Sequence, residues 1–191
     1  MIKLENVTKS FGEHNVLENL SLSFEKGSRT AIMGPSGCGK TTLFLLVAGL
    51  ISPDFGEIVR SEDMRFSAVF QDDRLCENLS LYANIKLVVS KSVGKAQIIS
   101  DIQALGLGGF ENKPVSLLSG GMKRRASIIR AMLAEFDTLV LDEPFNGLDS
   151  ETRQAAAEYI LDKLDGRTLI LITHNPDDVK LLGCEIINLN K

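Results

Sequence analysis

A glycine-rich segment followed by lysine and threonine carries the clearest chemistry in the sequence. Gly34-Pro-Ser-Gly-Cys-Gly-Lys40-Thr41 fits the P-loop pattern G-x-x-x-x-G-K-[ST] and directly follows a strand-like apolar segment. Its glycines let backbone N–H groups face phosphate oxygens, and the positive end of the following helix favours the same anion. Lys40 is expected to bridge the β- and γ-phosphates of ATP, and the Thr41 hydroxyl to ligate Mg²⁺. The residues expected to contact nucleotide here are Gly34, Pro35, Ser36, Gly37, Cys38, Gly39, Lys40, Thr41 and Thr42.

An apolar strand that ends in two carboxylates is the second candidate site. The segment Thr138–Leu141 leads directly into Asp142 and Glu143. In a parallel sheet the end of this strand would lie beside the P-loop, where Asp142 could hold Mg²⁺ directly or through water. Glu143 should point in another direction, toward a water in line with the γ-phosphate, and could act there as the general base.

A second glycine-rich turn, Leu118-Ser119-Gly120-Gly121-Met122, is expected to begin a helix. A serine at the start of a helix offers its hydroxyl and the following backbone amides to an anion. Most P-loop proteins lack such a turn. Together the two glycine-rich segments suggest a nucleotide held between two copies of the molecule.

With these motifs, the sequence resembles the ATP-binding subunit of ABC transporters, from about residue 2 to residue 190. Further motifs occur in the order typical of that family. They are Phe11 in Ser10-Phe-Gly, Gln71 in Val69-Phe-Gln, the signature Leu118–Met122, Asp149 in Asn146-Gly-Leu-Asp, and His174 in Ile172-Thr-His.

The resemblance implies a role for each of these residues. Phe11 would stack on adenine, because its ring face serves as well as the more usual tyrosine. Gln71 would contact Mg²⁺ and the attacking water and would couple the site to a membrane partner. His174 would lie near the γ-phosphate, and Asp149 at the interface between two subunits.

The resemblance also implies an assembly. Ser119, Gly120 and Gly121 would bind the γ-phosphate of ATP held by the opposite subunit, so that two ATP molecules join a head-to-tail homodimer or a pair of ABC subunits. Transmembrane permease subunits would be the further partners. The chain would then be cytoplasmic and peripheral on the membrane, attached through the permease.

The sequence departs from the family pattern at the signature. Met122 replaces the usual glutamine, although methionine occurs there in many importer subunits. The basic run Lys123-Arg124-Arg125 follows, where relatives often have glutamine in the middle, and we expect it to form the exposed face of the signature helix. The segments Asp142–Phe145 and Val69–Leu75 are most similar to importers of the nitrate, sulfonate and taurine type.

Composition limits the other possibilities. The 191 residues are 44% hydrophobic and 24% charged, which is typical of one compact domain, and the net charge of −4 argues against nucleic-acid binding. Three widely spaced cysteines support neither a disulfide framework nor a zinc site. We expect no export signal, no membrane helix and no further regulatory domain.

The alternation of strands and helices predicts an α/β fold with a largely parallel sheet, and the resemblance implies that this fold is of the ABC-type P-loop class. A mostly parallel core sheet, an N-terminal antiparallel β subdomain and a helical subdomain inserted at about residues 72–125 would form a single domain over residues 1–191. The expected strands are 2–7, 17–24, 30–33, 57–60, 66–70, 138–141, 168–173 and 185–189. The expected helices are 42–49, 81–89, 95–105, 121–135, 151–164 and 177–182.

Four other functions are alternatives to an importer ATPase. An exporter or lipoprotein-release subunit would share the same ATP chemistry, and residues of about 72–89, which would contact the partner, would decide between them. A soluble ABC ATPase acting on DNA or ribosomes would typically carry coiled-coil arms or two fused halves, which are absent from the sequence. The signature and the lack of an Asn-Lys-x-Asp motif argue against a P-loop kinase or GTPase. An inactive regulator would lack residues such as Lys40 and Glu143, which are present.

Overall fold

The computed structural model describes residues 1–189, which form alternating strands and helices. The strands are β1 (Ile2–Phe11), β2 (His14–Phe24), β3 (Arg29–Met33), β4 (Phe55–Val59), β5 (Phe66–Val69), β6 (Thr138–Asp142), β7 (Thr168–Ile172) and β8 (Glu185–Asn188). The helices are α1 (Lys40–Val47), α2 (Leu81–Lys86), α3 (Lys95–Ala104), α4 (Gly120–Leu133), α5 (Ser150–Leu164) and α6 (Pro176–Leu182), with a short 3₁₀ turn at Val115–Leu117. Each strand and helix expected from the sequence has a counterpart here.

The chain divides into two compact units. The first contains Met1–Phe66, Asp137–Asp142 and the residues from Gly166 onward. The second contains Ser67–Phe136 and Glu143–Asp165. The helical insertion predicted at about residues 72–125 falls inside the second unit.

An antiparallel sheet in the order β2-β1-β4 forms one part of the first unit. Buried and exposed residues alternate at the start of β1, where Ile2 and Leu4 are buried, so one face of the sheet is covered. β1 continues to Phe11, beyond the predicted end at Val7, because Phe11 pairs with His14 across a tight turn. The predicted antiparallel β subdomain is therefore present, with a longer hairpin than expected.

Parallel strands of the first unit run in the order β6-β7-β3-β8. Every residue of β6 and β7 is buried, as expected for strands covered on both faces. Ile172 of β7 is level with Asp142 of β6 on one side and with Ile32 of β3 on the other. The carboxyl ends of these three strands therefore lie at one edge of the sheet.

The second unit is mainly helical, and α4 packs against α2, α3 and α5. A buried polar group joins α3 to α5: the Tyr159 hydroxyl donates to Asp101 Oδ1 at 3.0 Å, and Lys163 Nζ lies 2.7 Å from the same oxygen. α2 ends at Lys86, three residues before its predicted end at Val89. The prediction was too long because the apolar pattern continues through Leu87, which is nevertheless largely exposed.

Candidate functional site

The P-loop connects β3 to α1, and Lys40 is the first residue of that helix. Lys40 Nζ donates to the carbonyl oxygens of Gly34 and Pro35, both at 2.8 Å, so the ammonium group lies across the loop. Leu43 and Phe44 are buried and anchor the first turns of α1. The positive end of the helix dipole and a side-chain cation are thus held at the same place, which suits a multiply charged anion.

Gly39, the N-cap of α1, has a backbone conformation that other residues rarely adopt, with φ of +101°. A Cβ added there would lie 2.7 Å from Leu17 Cδ2 and 3.1 Å from the Val16 carbonyl oxygen. Both β2 residues are thus in tight contact with the loop. This glycine is required by local packing as well as by the turn itself.

The same edge of the sheet carries two of the other predicted site residues. Asp142 ends β6 and is only 3% exposed, and His174 follows β7 with an exposed side chain. Between β7 and α6, the buried Thr173 hydroxyl donates to Asp178 Oδ2 at 3.0 Å and accepts from the Asn175 amide at 3.1 Å. The turn that carries His174 is therefore fixed by hydrogen bonds on its inner side. The structure brings Lys40, Asp142 and His174 together at one edge of the sheet.

Phe11 lies in the first unit, at the end of the β1–β2 hairpin. Its side chain is 53% exposed, and Lys9 Nζ lies 5.6 Å from the ring centroid. An exposed ring at a hairpin can stack on a planar ligand. The predicted adenine contact is thus sterically open.

The two carboxylates that follow one another at the end of β6 belong to different units. Glu143 is a buried residue with φ of +48°, a left-handed conformation that is uncommon outside glycine. The strand ends just before this residue, and that Asp142 and Glu143 point in different directions stays a prediction.

Asp149, in the second unit, is the N-cap of α5. Its carboxylate accepts from the Thr152 amide at 2.8 Å and from the Thr152 hydroxyl at 3.1 Å. The amide hydrogen bond from Thr152, followed by that from its hydroxyl, lowers the pKa of Asp149. Asp149 is exposed, so its carboxylate remains accessible to solvent while it caps the helix.

The signature turn begins the long helix α4. Ser119 is its N-cap and accepts from the Met122 amide at 3.4 Å. Ser119 and Gly120 are exposed, and a Cβ added at Gly120 would meet no atom within 4 Å. The second unit therefore presents an open helix N-terminus, the geometry that favours an anion.

Gln71 has an exposed side chain, while its backbone carbonyl is held by Arg124 of α4. The sequence indicated that Lys123-Arg124-Arg125 forms an exposed face, and for Arg124 this is wrong, since its side chain is 7% exposed. Arg125 is half-buried, and its Nη1 donates to the Leu105 carbonyl at 2.7 Å. A basic run suggests a solvated face, because composition alone cannot show that a guanidinium faces backbone carbonyls. Arginine at position 124, where relatives often have glutamine, was the signal in the sequence that this side chain could be buried.

The donors at the sheet edge fit a magnesium–nucleotide ligand better than a metal bound by protein alone. Within residues 1–189 there is no group of three His, Cys, Asp or Glu side chains that could enclose a metal ion. Mg²⁺ typically binds one or two protein oxygens together with phosphate oxygens. Thr41, with an exposed hydroxyl in the first turn of α1, and Asp142 provide such oxygens in the first unit. Gln71, the third predicted ligand, belongs to the second unit.

Comparison with known protein families identifies the class of the chain. Residues 17–146 match the family described as "ABC transporter", which is more than half of the sequence. The chain belongs to this family. The P-loop, the carboxylate-ended strand and the signature turn of this ABC family member are thus features of one known architecture.

Two curated relatives of this ABC family member are ATP-binding proteins named for import. The chain is 34% identical to the spermidine/putrescine import ATP-binding protein PotA of Acetivibrio thermocellus, covering 100% of this chain and 58% of that protein. It is 35% identical to the Fe(3+) ions import ATP-binding protein FbpC of Pasteurella multocida, covering 98% of this chain and 58% of that protein. The chain therefore spans under two thirds of the length of these relatives.

A solved structure confirms the fold. The dimeric structure of MJ0796, described as a bacterial ABC transporter cassette, has a TM-score of 0.85 to this ABC family member at 28% identity. The match covers 98% of this chain and 94% of that chain. The predicted ABC-type P-loop fold is confirmed. Among residues 1–189, the helices are too short or too polar for any of them to cross a membrane.

Proposed function

We propose that the chain binds and hydrolyses ATP and that it powers substrate uptake by an ABC transporter. The observation that carries this proposal is the meeting of Lys40, Asp142 and His174 at the carboxyl edge of one parallel sheet. A P-loop cation, a buried carboxylate and an exposed imidazole at one edge are suited to a nucleoside triphosphate with its magnesium ion. The family of the chain supports the same reading.

In this proposal the first unit binds the nucleotide. The P-loop amides and the Lys40 ammonium hold the β- and γ-phosphates, and the exposed ring of Phe11 stacks on the adenine. Thr41, Asp142 and Gln71 are the proposed ligands of Mg²⁺, directly or through water. When bound, the ion would neutralise charge that develops on the phosphate oxygens.

Glu143 is the proposed general base, which accepts a proton from the water that attacks the γ-phosphate. Its left-handed backbone sets it apart from Asp142, so one carboxylate can hold the metal while the other stays available for the proton. His174 would donate to the γ-phosphate, and Gln71 would orient the water. These side chains would align the water and stabilise charge on the γ-phosphate, which are the main contributions a protein makes to phosphoryl transfer.

The signature turn supports a dimer as the active form. Ser119 and the open N-terminus of α4 are built for an anion, and we propose that this anion is the γ-phosphate of ATP bound to a second copy. Asp149 would lie at the same interface. The dimeric cassette structure of MJ0796, which is similar along nearly its whole length, supports this arrangement.

The membrane partner and the direction of transport are part of the same proposal. Both curated relatives carry "import" in their names, one for spermidine and putrescine and the other for Fe(3+). We therefore propose an importer, with permease subunits that hold the chain on the cytoplasmic face of the membrane. The sequence resemblance to nitrate, sulfonate and taurine importers stays a prediction, because these two relatives are named for other substrates.

The test uses Glu143→Gln, which keeps the size of the side chain but cannot accept the proton. With Mg-ATP this variant should bind nucleotide, hydrolyse it very slowly and run as a dimer in light scattering coupled to size-exclusion chromatography. The control is the double variant Glu143→Gln with Ser119→Arg, which fills the open helix N-terminus and should bind ATP as a monomer. A Glu143→Gln protein that binds Mg-ATP yet stays monomeric would refute the dimer proposed to hold ATP between its two copies.

A second step tests the transporter role. Tagged Glu143→Gln protein with Mg-ATP is recovered from its own host in mild detergent, and co-purifying proteins are identified. Recovery of a multi-spanning membrane protein supports the importer reading, and that protein begins to name the substrate. Recovery of soluble partners only would make a soluble ABC ATPase the better reading.

A further inference from the structure

We propose that Arg124 is a positioning residue that fastens the Gln71 loop to the signature helix α4, so that Gln71 and Ser119 change position together. Both residues lie in the second unit, and the argument uses contacts within that unit alone. The inference rests on the proposed function, because it assigns Gln71 a place in ATP hydrolysis. It adds a residue that the sequence assigned to the solvated surface.

The Arg124 side chain makes three contacts with the loop. Its Nη1 donates to the Phe70 carbonyl at 2.7 Å, and its Nη2 donates to the Gln71 carbonyl at 2.5 Å. Nη1 also lies 3.3 Å from Asp73 Oδ1. Since Arg124 is almost fully buried, these partners replace the water that its charge would otherwise require. A buried guanidinium that contacts two carbonyls and one carboxylate holds a defined position, whereas a solvent-exposed ion pair is mobile and weak.

The contact continues along the same face of α4. Ser127 Oγ lies 3.4 Å from Asp73 Oδ1, within hydrogen-bond distance. Arg130 donates through Nη2 to the Asp73 carbonyl at 3.1 Å and through Nη1 to the Arg74 carbonyl at 2.8 Å. Positions 124, 127 and 130 recur at a spacing that places side chains on one side of a helix. The loop therefore runs along α4 for about two turns.

The loop depends on these side chains because it has little regular structure. Residues 70–76 form neither helix nor strand, and Arg74 has φ of +47°. Burial raises the pKa of Asp73, against the opposing effect of Arg124, so the carboxylate is partly desolvated where the two meet. Side chains of α4 thus supply donors to three successive groups of backbone carbonyls, at Phe70–Gln71, Asp73 and Arg74.

This geometry fixes the backbone of Gln71 and leaves its side chain available to a ligand. The Gln71 backbone is held at its carbonyl, whereas its side chain is exposed. Arg124 lies on α4, whose N-cap is Ser119, so any displacement of α4 moves the signature serine and the Gln71 backbone together. A lysine would replace it poorly, because its single nitrogen cannot put donors at the separate positions of Nη1 and Nη2.

The first experiment is a kinetic double-mutant cycle. Arg124→Met, Gln71→Ala and the double variant are compared for steady-state hydrolysis of Mg-ATP, with folding checked by circular dichroism. Arg124→Met should lower kcat about tenfold with little change in KM, in the range of coupling through a packed network. In the Gln71→Ala background the same substitution should change kcat less than about twofold, because the side chain it positions is gone. Equal losses in both backgrounds would overturn the proposal.

Arg125→Met is the matched control, since it removes a guanidinium from the next residue of the same helix. Arg125 donates to the Leu105 carbonyl and to Gly121 of its own helix, and to no residue of the loop. Its effect on kcat should multiply with that of Gln71→Ala, as for independent sites. Arg124→Lys keeps the charge beside Asp73 but loses the two separate donor nitrogens of the guanidinium. Its kcat should lie between those of wild type and Arg124→Met. If lysine restores wild-type kcat, the carbonyl contacts have no positioning role.

A second measurement does not depend on hydrolysis. Amide hydrogen exchange of residues 70–76, in protein without nucleotide, should be faster in Arg124→Met than in wild type or Arg125→Met. Unchanged exchange in Arg124→Met would refute the fastening itself. If wild-type protein hydrolyses no ATP, the proposed function fails, and the exchange result still decides whether Arg124 holds the loop.

Discussion

Adding one methyl group at Gly39 should destabilise the protein by about 3 kcal/mol, whereas the same change at Gly37 should cost only about 1 kcal/mol. Both glycines lie in the P-loop with positive φ, +101° at Gly39 and +79° at Gly37. They differ in their surroundings. A Cβ at Gly39 would meet Leu17 and Val16 of β2, and a Cβ at Gly37 would meet no atom within 4 Å.

The magnitude follows from two terms. A non-glycine residue held in an unfavourable backbone region costs about 1–3 kcal/mol. Overpacking adds about 1–3 kcal/mol at Gly39, because the new carbon would lie 2.7 Å from Leu17 Cδ2. The reduced entropy of the unfolded chain returns about 0.4–1 kcal/mol in either variant. Gly39→Ala should therefore be less stable than Gly37→Ala by the overpacking energy, together with any added backbone strain from its larger φ.

The assay is urea unfolding of both variants without nucleotide, followed by fluorescence-detected binding of an ATP analogue. In a thermal scan of a chain of this size, a loss of 3 kcal/mol would lower the melting temperature by about 6–12 °C. Gly37→Ala should retain most of its stability, so any loss of ATP binding there reflects the phosphate site alone. Equal stability of the two variants would refute the reasoning, since their contacts are the only major difference.

Three further predictions concern single side chains. Lys40→Ala should weaken ATP binding by at least about tenfold, because a charge-assisted contact contributes about 1.5–3 kcal/mol, and unchanged affinity in a titration would contradict the P-loop assignment. Asp149 has a lowered pKa, so its cap stabilises the fold above about pH 4 and is lost as pH falls below that value; acid unfolding of Asp149→Asn should show a shallower slope, because the amide accepts from Thr152 without titrating. Burial raises the pKa of Tyr159, so stability is full below about pH 10 and falls as pH rises above it. Tyr159→Phe, which also leaves Asp101 one donor short, should be less stable at pH 7 but should lose less stability in alkali, as urea midpoints at pH 8 and pH 10.5 would show.

Much of the fold could be predicted because its main signals are local. The short apolar runs of β6 and β7 are typical of strands in a covered sheet, and a P-loop follows a strand and begins a helix. Parallel strand order then places Asp142 and His174 near Lys40 without further information. These arguments need only the sequence periodicity and the rule that parallel strands end at a common edge.

Long-range side-chain contacts could not be predicted in this way. The burial of Arg124 depends on where the Gln71 loop passes, and that path is set by packing across more than fifty positions of sequence. The end of α2 was missed for a related reason, because Leu87 fits the apolar pattern but lacks a partner surface in the fold. Periodicity reports which residues could be buried, and only tertiary structure decides which of them are.

The position of β8 sets the moment during synthesis at which the nucleotide site can form. Asn188 pairs with Met33, and the Leu189 amide donates to the Met33 carbonyl at 2.7 Å, directly before Gly34. The P-loop strand is made early on the ribosome, but its outer neighbour is made about 150 residues later, some ten seconds or more at typical elongation rates. A nascent chain stalled before β8 is therefore expected to retain ATP less well than the finished chain.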